Sequence, residues 1–152
     1  MLPTLIYNKS QFTLKNVILE IICFLLILLF SYAGLSKLIN IGTFKYQLGR
    51  SPFVTNIAVT VAWILPIIEL TISILLVIKK SRLIGLYASF FLMLLFTGYI
   101  YAMLHYSYYV PCSCGGVLSM MSWNQHLIFN IFFSLIALAG IFLQAKKISN
   151  DN

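Results

Sequence analysis

The chain has 152 residues, of which 61% are hydrophobic and only 9% are charged. A soluble globular domain carries about 25% charged residues, so this composition excludes one. The net charge of +7 comes from 10 basic and 3 acidic residues, and most of the basic residues lie between apolar runs. That distribution is typical of topology determinants in membrane proteins and predicts no nucleic-acid partner.

Four apolar stretches are long enough to cross a bilayer as helices of about 20 residues. They cover roughly residues 17–38, 54–78, 83–104 and 126–143. No Ala-x-Ala-like site follows the first stretch, which predicts a retained membrane helix and not a cleaved signal peptide. We therefore expect an all-α integral membrane protein, with residues 1–152 forming one domain, a four-transmembrane-helix bundle in contact with membrane lipid.

A short helix is predicted between the first two spans. Ile41, Phe44 and Leu48 recur at helical spacing, and the segment from Gly49 to Pro52 would end a helix. The pattern predicts a short amphipathic helix at the membrane interface.

Lys37 and Glu69 are the notable ionisable residues in the first two spans. Ionisable groups at membrane depth are costly and mark function or a partner. For Glu69 three interpretations are open, namely a hydrogen bond to another helix, a proton relay and an ion pair with Lys37. Glu69 lies about 20 Å along its span from the outer end, at 1.5 Å per residue, which a Lys37 stem does not span unless the helices are strongly offset. We therefore expect a structural hydrogen bond for Glu69 and a Lys37 that extends to the interface.

Basic residues are distributed unequally between the two sides of the membrane. One side would carry seven, in the N-terminal segment, the link between spans two and three, and the C-terminal tail. The other would carry three in the first loop and none between His105 and Gln125. The positive-inside rule then predicts a multi-pass protein of the bacterial inner (cytoplasmic) membrane, with both termini cytoplasmic and the last loop periplasmic.

That last loop contains Cys112-Ser113-Cys114-Gly115-Gly116. Two cysteines separated by one residue can close a small, strained disulfide, which is more easily reduced and suited to exchange. Gly115 and Gly116 supply backbone freedom where the chain must bend. Disulfides persist outside the cytoplasm, where we expect this loop. Cys112 and Cys114 are therefore the predicted catalytic pair, with a static clip as the alternative.

His126 follows Trp123 at the start of the fourth span. Both residues suit the membrane–water boundary, and Asn124 is a candidate cap for this helix. In a second interpretation His126 lies beside Cys112 and Cys114 as a base or thiolate stabiliser. A third is a copper or zinc site with Cys112, Cys114 and His126 as ligands.

Three segments resemble the MauE-like branch of the DoxX-like membrane proteins. They are Ala33-Gly34-Leu35-Ser36-Lys37-Leu38, Leu65-Pro66-Ile67-Ile68-Glu69-Leu70 and Pro111-Cys112-Ser113-Cys114-Gly115-Gly116, and the likeness extends from about Ile18 to Leu143. The resemblance implies a four-helix membrane protein associated with redox chemistry. MauE is linked to methylamine utilisation and to disulfide formation alongside a thioredoxin-like partner. Nothing in this chain indicates methylamine.

The resemblance implies that Cys112 and Cys114 correspond to the family's paired cysteines, and Lys37 and Glu69 to its polar positions. The resulting hypothesis is a membrane thiol–disulfide oxidoreductase, or the membrane subunit of one. It would exchange electrons with a thioredoxin-like or Cys-containing extracytoplasmic partner. By analogy with other four-helix disulfide-forming enzymes, a quinone would be the membrane carrier. The alternatives are a non-catalytic scaffold or anchor in a larger membrane complex, and a metal-binding protein.

Overall fold

The computed structural model describes residues 2–51, 54–106 and 122–151, with side chains described from residue 14 to residue 149. Within these ranges the regular structure is entirely helical. The elements are α1 (Leu2–Ile39), α2 (Ile41–Gly49), a 3₁₀ turn (Thr55–Ile57), α3 (Ala58–Val77), α4 (Arg82–Tyr106) and α5 (Trp123–Asp151).

Four of these helices, α1, α3, α4 and α5, are long and apolar enough to cross a membrane, which confirms the predicted four-helix membrane bundle. Helix α1 contacts α3 and α5, and α4 contacts the same two helices, so the four close into a ring. The bundle end that holds α2 also holds the end of α4 and the start of α5. We call it the α2 end. Helices α1, α4 and α5 extend beyond their predicted spans, most of all α1 and α5, whereas α3 lies within the predicted 54–78.

The bundle is held together by close packing between helices, because burial of apolar side chains drives association only weakly when the solvent is lipid. In each span, only 33% of an 18-residue apolar stretch is buried inside the bundle. Small residues permit close approach: a Cβ atom on Gly140 would lie 2.9 Å from Leu86 Cδ2 and 3.0 Å from Ile22 Cγ2. One on Gly85 would lie 3.0 Å from the backbone nitrogen of Leu76, at the turn between α3 and α4.

Helix α2 confirms the predicted short helix and shows where its apolar face packs. Phe44 and Leu48 are buried against Ala58 and Ala62 of α3. The first turns of α3 therefore pack against α2 and not only against α1. This arrangement shifts α3 along the bundle axis relative to α1, and it determines which polar residues meet.

Candidate functional site

Lys37 of α1 and Glu69 of α3 form a buried ion pair. Lys37 Nζ donates a hydrogen bond to Glu69 Oε1 at 2.5 Å, and the two side chains are 9% and 0% exposed. The ion pair, which was the interpretation that required strongly offset helices, is therefore present, and the expectation that Lys37 extends to the interface is wrong. The structural hydrogen bond expected for Glu69 is present, and Lys37 is its donor.

The two residues meet because the helices are offset and because side chains on a helix lean toward its N-terminus. Gly34 of α1 lies against Pro66 and Leu70 of α3. Gly34 is five residues before the end of α1, whereas Pro66 is already eight residues after the start of α3. In antiparallel helices the N-terminal lean makes Lys37 and Glu69 point toward each other along the axis. The long lysine stem covers the remaining distance.

Gly34 sets the close approach that brings the pair together. A Cβ atom at this position would lie 3.0 Å from Leu70 Cγ and 3.2 Å from the carbonyl oxygen of Pro66. We expect Gly34→Ala to lower the free energy of unfolding by about 1 kcal/mol, because the backbone carbonyl cannot move aside as a side chain can. Thermal unfolding in micelles would measure this, with Gly42→Ala, where a Cβ meets nothing within 4 Å, as the control. Equal effects at both positions would contradict this explanation.

A cavity of about 330 Å³ lies beside the ion pair, in the half of the bundle nearer the α2 end. All four spans and α2 contribute to its wall, which is mostly apolar and rich in aromatic rings. The lining residues are Leu29, Phe30, Ala33, Lys37, Phe44, Leu48, Val54, Val61, Leu65, Glu69, Leu92, Met93, Leu95, Phe96, Tyr99, Ile100, Trp123, His126, Phe129 and Asn130.

The polar part of this wall contains an acceptor that no described residue satisfies. Glu69 Oε1 is bound by Lys37, but Glu69 Oε2 is buried and has no hydrogen-bond partner among the described residues. Lys37 Nζ lies 5.5 Å from the centre of the Phe96 ring and 5.9 Å from that of Phe44, within the range of cation–π attraction. The lysine charge is thus held by a carboxylate on one side and by aromatic faces on the others.

Trp123 and His126, at the start of α5, form part of the cavity wall. Ser122 caps this helix: its hydroxyl accepts from the Gln125 backbone at 3.4 Å, and its own N–H donates to Gln125 Oε1 at 2.9 Å. This reciprocal pair is a capping box, so the expected cap at Asn124 is wrong. The Trp123 and His126 rings stack with centres 6.4 Å apart. His126 is buried and lines the cavity near Lys37.

Most of the cavity wall was not predicted as a site from the sequence, including its aromatic and polar residues Phe96, Tyr99 and Asn130. Asn130 had a signal, because His126, Asn130 and Ser134 recur every four residues in the otherwise apolar predicted span 126–143. The Asn130 amide donates to the His126 carbonyl at 2.9 Å, and the Ser134 hydroxyl to the Asn130 carbonyl at 2.8 Å. Phe96 and Tyr99 had no comparable signal, since aromatic residues are common at membrane boundaries.

Tyr99 and Ser51 connect α4 to the segment after α2. The Tyr99 hydroxyl donates to Ser51 Oγ at 2.8 Å, and Ser51 is fully buried. The Thr55 hydroxyl donates to the Ser51 carbonyl at 2.5 Å. These bonds hold the connection between α2 and α3 against α4, which closes the cavity wall on that side.

Cys112, Cys114, Gly115 and Gly116 lie outside the described residues. The segment that contains them joins Tyr106 to Ser122, and both of these lie at the α2 end, as does the cavity. Among the described residues, no group of three or more His, Cys, Asp or Glu side chains could hold a metal ion. The alternative metal set of Cys112, Cys114 and His126 depends on the two cysteines and stays a prediction.

Comparison with known proteins supports the family seen in the sequence. No curated protein and no solved structure matches the chain. Residues 15–143 match the family described as methylamine utilisation protein MauE. The match covers most of the chain, including the four spans, the ion pair and the cysteine segment. The chain therefore belongs to the MauE family of membrane proteins.

Proposed function

We propose that this protein is a membrane thiol–disulfide redox protein in which Cys112 and Cys114 cycle between dithiol and disulfide. The observation that carries the proposal is the Cys-x-Cys-Gly-Gly motif in a MauE-family chain. The flanks of its segment lie at the bundle end that also holds the cavity with the Lys37–Glu69 pair. A strained small-ring disulfide suits exchange better than permanent cross-linking.

The exchange proceeds through a mixed disulfide with a thioredoxin-like or other Cys-containing partner. One thiolate of the pair attacks a sulfur of the partner's disulfide, and the partner's second sulfur leaves as a thiolate. The remaining cysteine then attacks the mixed bond. The protein ends with a Cys112–Cys114 disulfide and the partner with two thiols, so two electrons and two protons have moved to the partner. The reverse sequence oxidises the partner.

Sustained turnover requires a second redox carrier in the membrane, and a quinone is the class that suits this chain. The cavity volume of about 330 Å³ falls within the range of small-molecule sites. Its apolar wall with a few polar groups has the character of such a site. A quinone, when bound, would accept two electrons and two protons. We place the protein in the bacterial inner membrane, with the cysteine segment on the periplasmic side, on the basis of the distribution of basic residues.

Trapping the mixed disulfide tests the proposal. We expect Cys112→Ser or Cys114→Ser, expressed singly in cells, to accumulate a reductant-sensitive adduct with a second protein on non-reducing gels. Removing one thiol stops the resolving step and so lengthens the life of the mixed disulfide. Cys23→Ser is the matched control, because Cys23 is buried among apolar residues of α1 and should trap nothing.

A membrane-impermeant maleimide provides the second readout. In intact cells the wild-type cysteines of the segment should be labelled only after mild reduction. Free labelling without reductant, together with no adduct in either single variant, would contradict the redox proposal. A Cys112→Ser, Cys114→Ser variant that retains full function in cells would instead favour the scaffold alternative.

A further inference from the structure

We propose that the cavity binds the ring of a membrane-soluble quinone or quinol, with the Lys37–Glu69 pair holding its oxygen atoms. Glu69 Oε2 would accept a hydrogen bond from a hydroxyl group of the reduced form, and Lys37 Nζ would donate one to a ring oxygen. The redox role of this site rests on the proposed function, but binding itself requires neither Cys112 nor Cys114.

The first support is the unsatisfied oxygen of Glu69. A buried acceptor without a partner is uncommon in folded proteins, because it has lost its hydrogen bonds to water without replacement. Glu69 Oε2 is such an atom among the described residues, and its side chain is fully buried and lines the cavity. Glu69 Oε2 therefore has the capacity to accept a hydrogen bond from a donor inside the cavity.

The second support is the shape and chemistry of the rest of the wall. Six aromatic side chains surround the cavity, and the charged groups of its described wall are Lys37 and Glu69. Aromatic rings favour offset-stacked and edge-to-face contact with another flat ring. An apolar cavity of about 150 Å³ holds one benzene ring, so about 330 Å³ accommodates a substituted ring and the first part of a tail. A flat ring with polar oxygens fits this wall better than water, which needs two to four polar partners.

The third support is access from the lipid. Leu95 lines the cavity and is also 52% exposed on the outer face of α4. Leu95 therefore forms the boundary between the cavity and the surface that faces the hydrocarbon, where a quinone with an isoprenoid tail is dissolved. A ring that enters from the bilayer would pass Leu95, and its tail would stay in the lipid.

The two tryptophans allow a direct binding measurement. Trp123 lines the cavity, whereas Trp63 is exposed on α3 beside Lys45. We would titrate decylubiquinol, the reduced form whose hydroxyl groups can donate to Glu69, into the purified full-length Trp63→Phe protein in micelles and follow Trp123 fluorescence. We expect saturable quenching. The Trp123→Phe protein, in which Trp63 reports, should show only a linear, non-saturating decrease.

Three variants in the Trp63→Phe background test the assigned residues. Glu69→Gln should weaken binding about tenfold, because a hydrogen bond to a charged acceptor is replaced by a weaker one. Val61→Phe, which fills the cavity, should also weaken it. The double variant Lys37→Met, Glu69→Leu should lose saturable quenching while it keeps the helical fold, since a buried ion pair can be replaced by apolar residues. If the single variant Glu69→Gln does not fold, the double variant still measures the contribution of the ion pair to binding.

Several results would overturn the inference. Non-saturating quenching of Trp123 would do so, as would unchanged affinity in both Glu69→Gln and the double variant. Equal competition by decylbenzene, which has the tail and ring without the oxygens, would show simple apolar filling. The Cys112→Ser, Cys114→Ser protein should bind as tightly as the parent. If the Trp63→Phe protein shows no saturable binding but the single cysteine variants trap a mixed disulfide, the quinone site alone is rejected. If it shows saturable binding but the single cysteine variants trap nothing, thiol exchange alone is rejected.

Discussion

Replacing Glu69 by Leu or Lys37 by Met is expected to lower the free energy of unfolding by about 3–5 kcal/mol. Each change leaves the other charge buried without its counterion. Lys37 and Glu69 are both almost completely enclosed, so neither water nor lipid head groups replace the missing partner. Chemical or thermal unfolding in micelles, followed by far-UV circular dichroism, would measure the loss.

The double variant Lys37→Met, Glu69→Leu should recover most of this stability, because no uncompensated charge remains. Ser73→Ala is the matched control on the same helix. The Ser73 hydroxyl donates to the Glu69 carbonyl at 3.2 Å, so its loss removes a neutral hydrogen bond at a cost of about 1 kcal/mol. A double variant as unstable as the sum of the two single variants would show that the residues do not act as a pair.

Replacing Glu20 by Ala is expected to lower the free energy of unfolding by about 1.5 kcal/mol. Glu20 of α1 binds Arg82 of α4 in a bidentate arrangement, with Nη1–Oε1 at 2.7 Å and Nη2–Oε2 at 3.2 Å. The Arg82 side chain is only 7% exposed, so it loses a carboxylate that solvent does not fully replace. The effect is smaller than for Glu69 because Glu20 is 54% exposed and partly screened.

Lys80→Ala is the control for this second prediction. Lys80 is exposed in the turn just before Arg82, and its removal changes the local charge without breaking the bidentate pair. We expect Lys80→Ala to change the unfolding midpoint little. Equal effects of Glu20→Ala and Lys80→Ala would indicate a response to net charge at this end of the bundle and not to the pair.

The bundle itself was predictable from the sequence, as was its family. Four apolar runs of sufficient length predict four helices, because a chain in lipid must satisfy its backbone hydrogen bonds within each span. The spacing of Phe44 and Leu48 predicted α2. The three segments that resemble the MauE-like branch led to the family that residues 15–143 match. Cys112 and Cys114 were identified from their own motif in a predicted extracytoplasmic loop, and their redox role stays a prediction.

The contacts inside the bundle were decided by the tertiary structure. Lys37 and Glu69 were identified from the sequence, but their pairing was not the favoured interpretation, because it required α1 and α3 to be strongly offset. The packing of Gly34 against Pro66, and of α2 against the start of α3, shifts the two helices and brings the charges together.

Glu20 and Arg82 are 62 residues apart, and Phe96 and Tyr99 resemble ordinary boundary aromatics in the sequence. Local patterns determine which segments form helices and which face of each is polar, because hydrogen bonding and periodicity act within one helix. The axial offset between two helices depends on how their side chains interlock. That offset brings Lys37 and Glu69 together and places the cavity beside them.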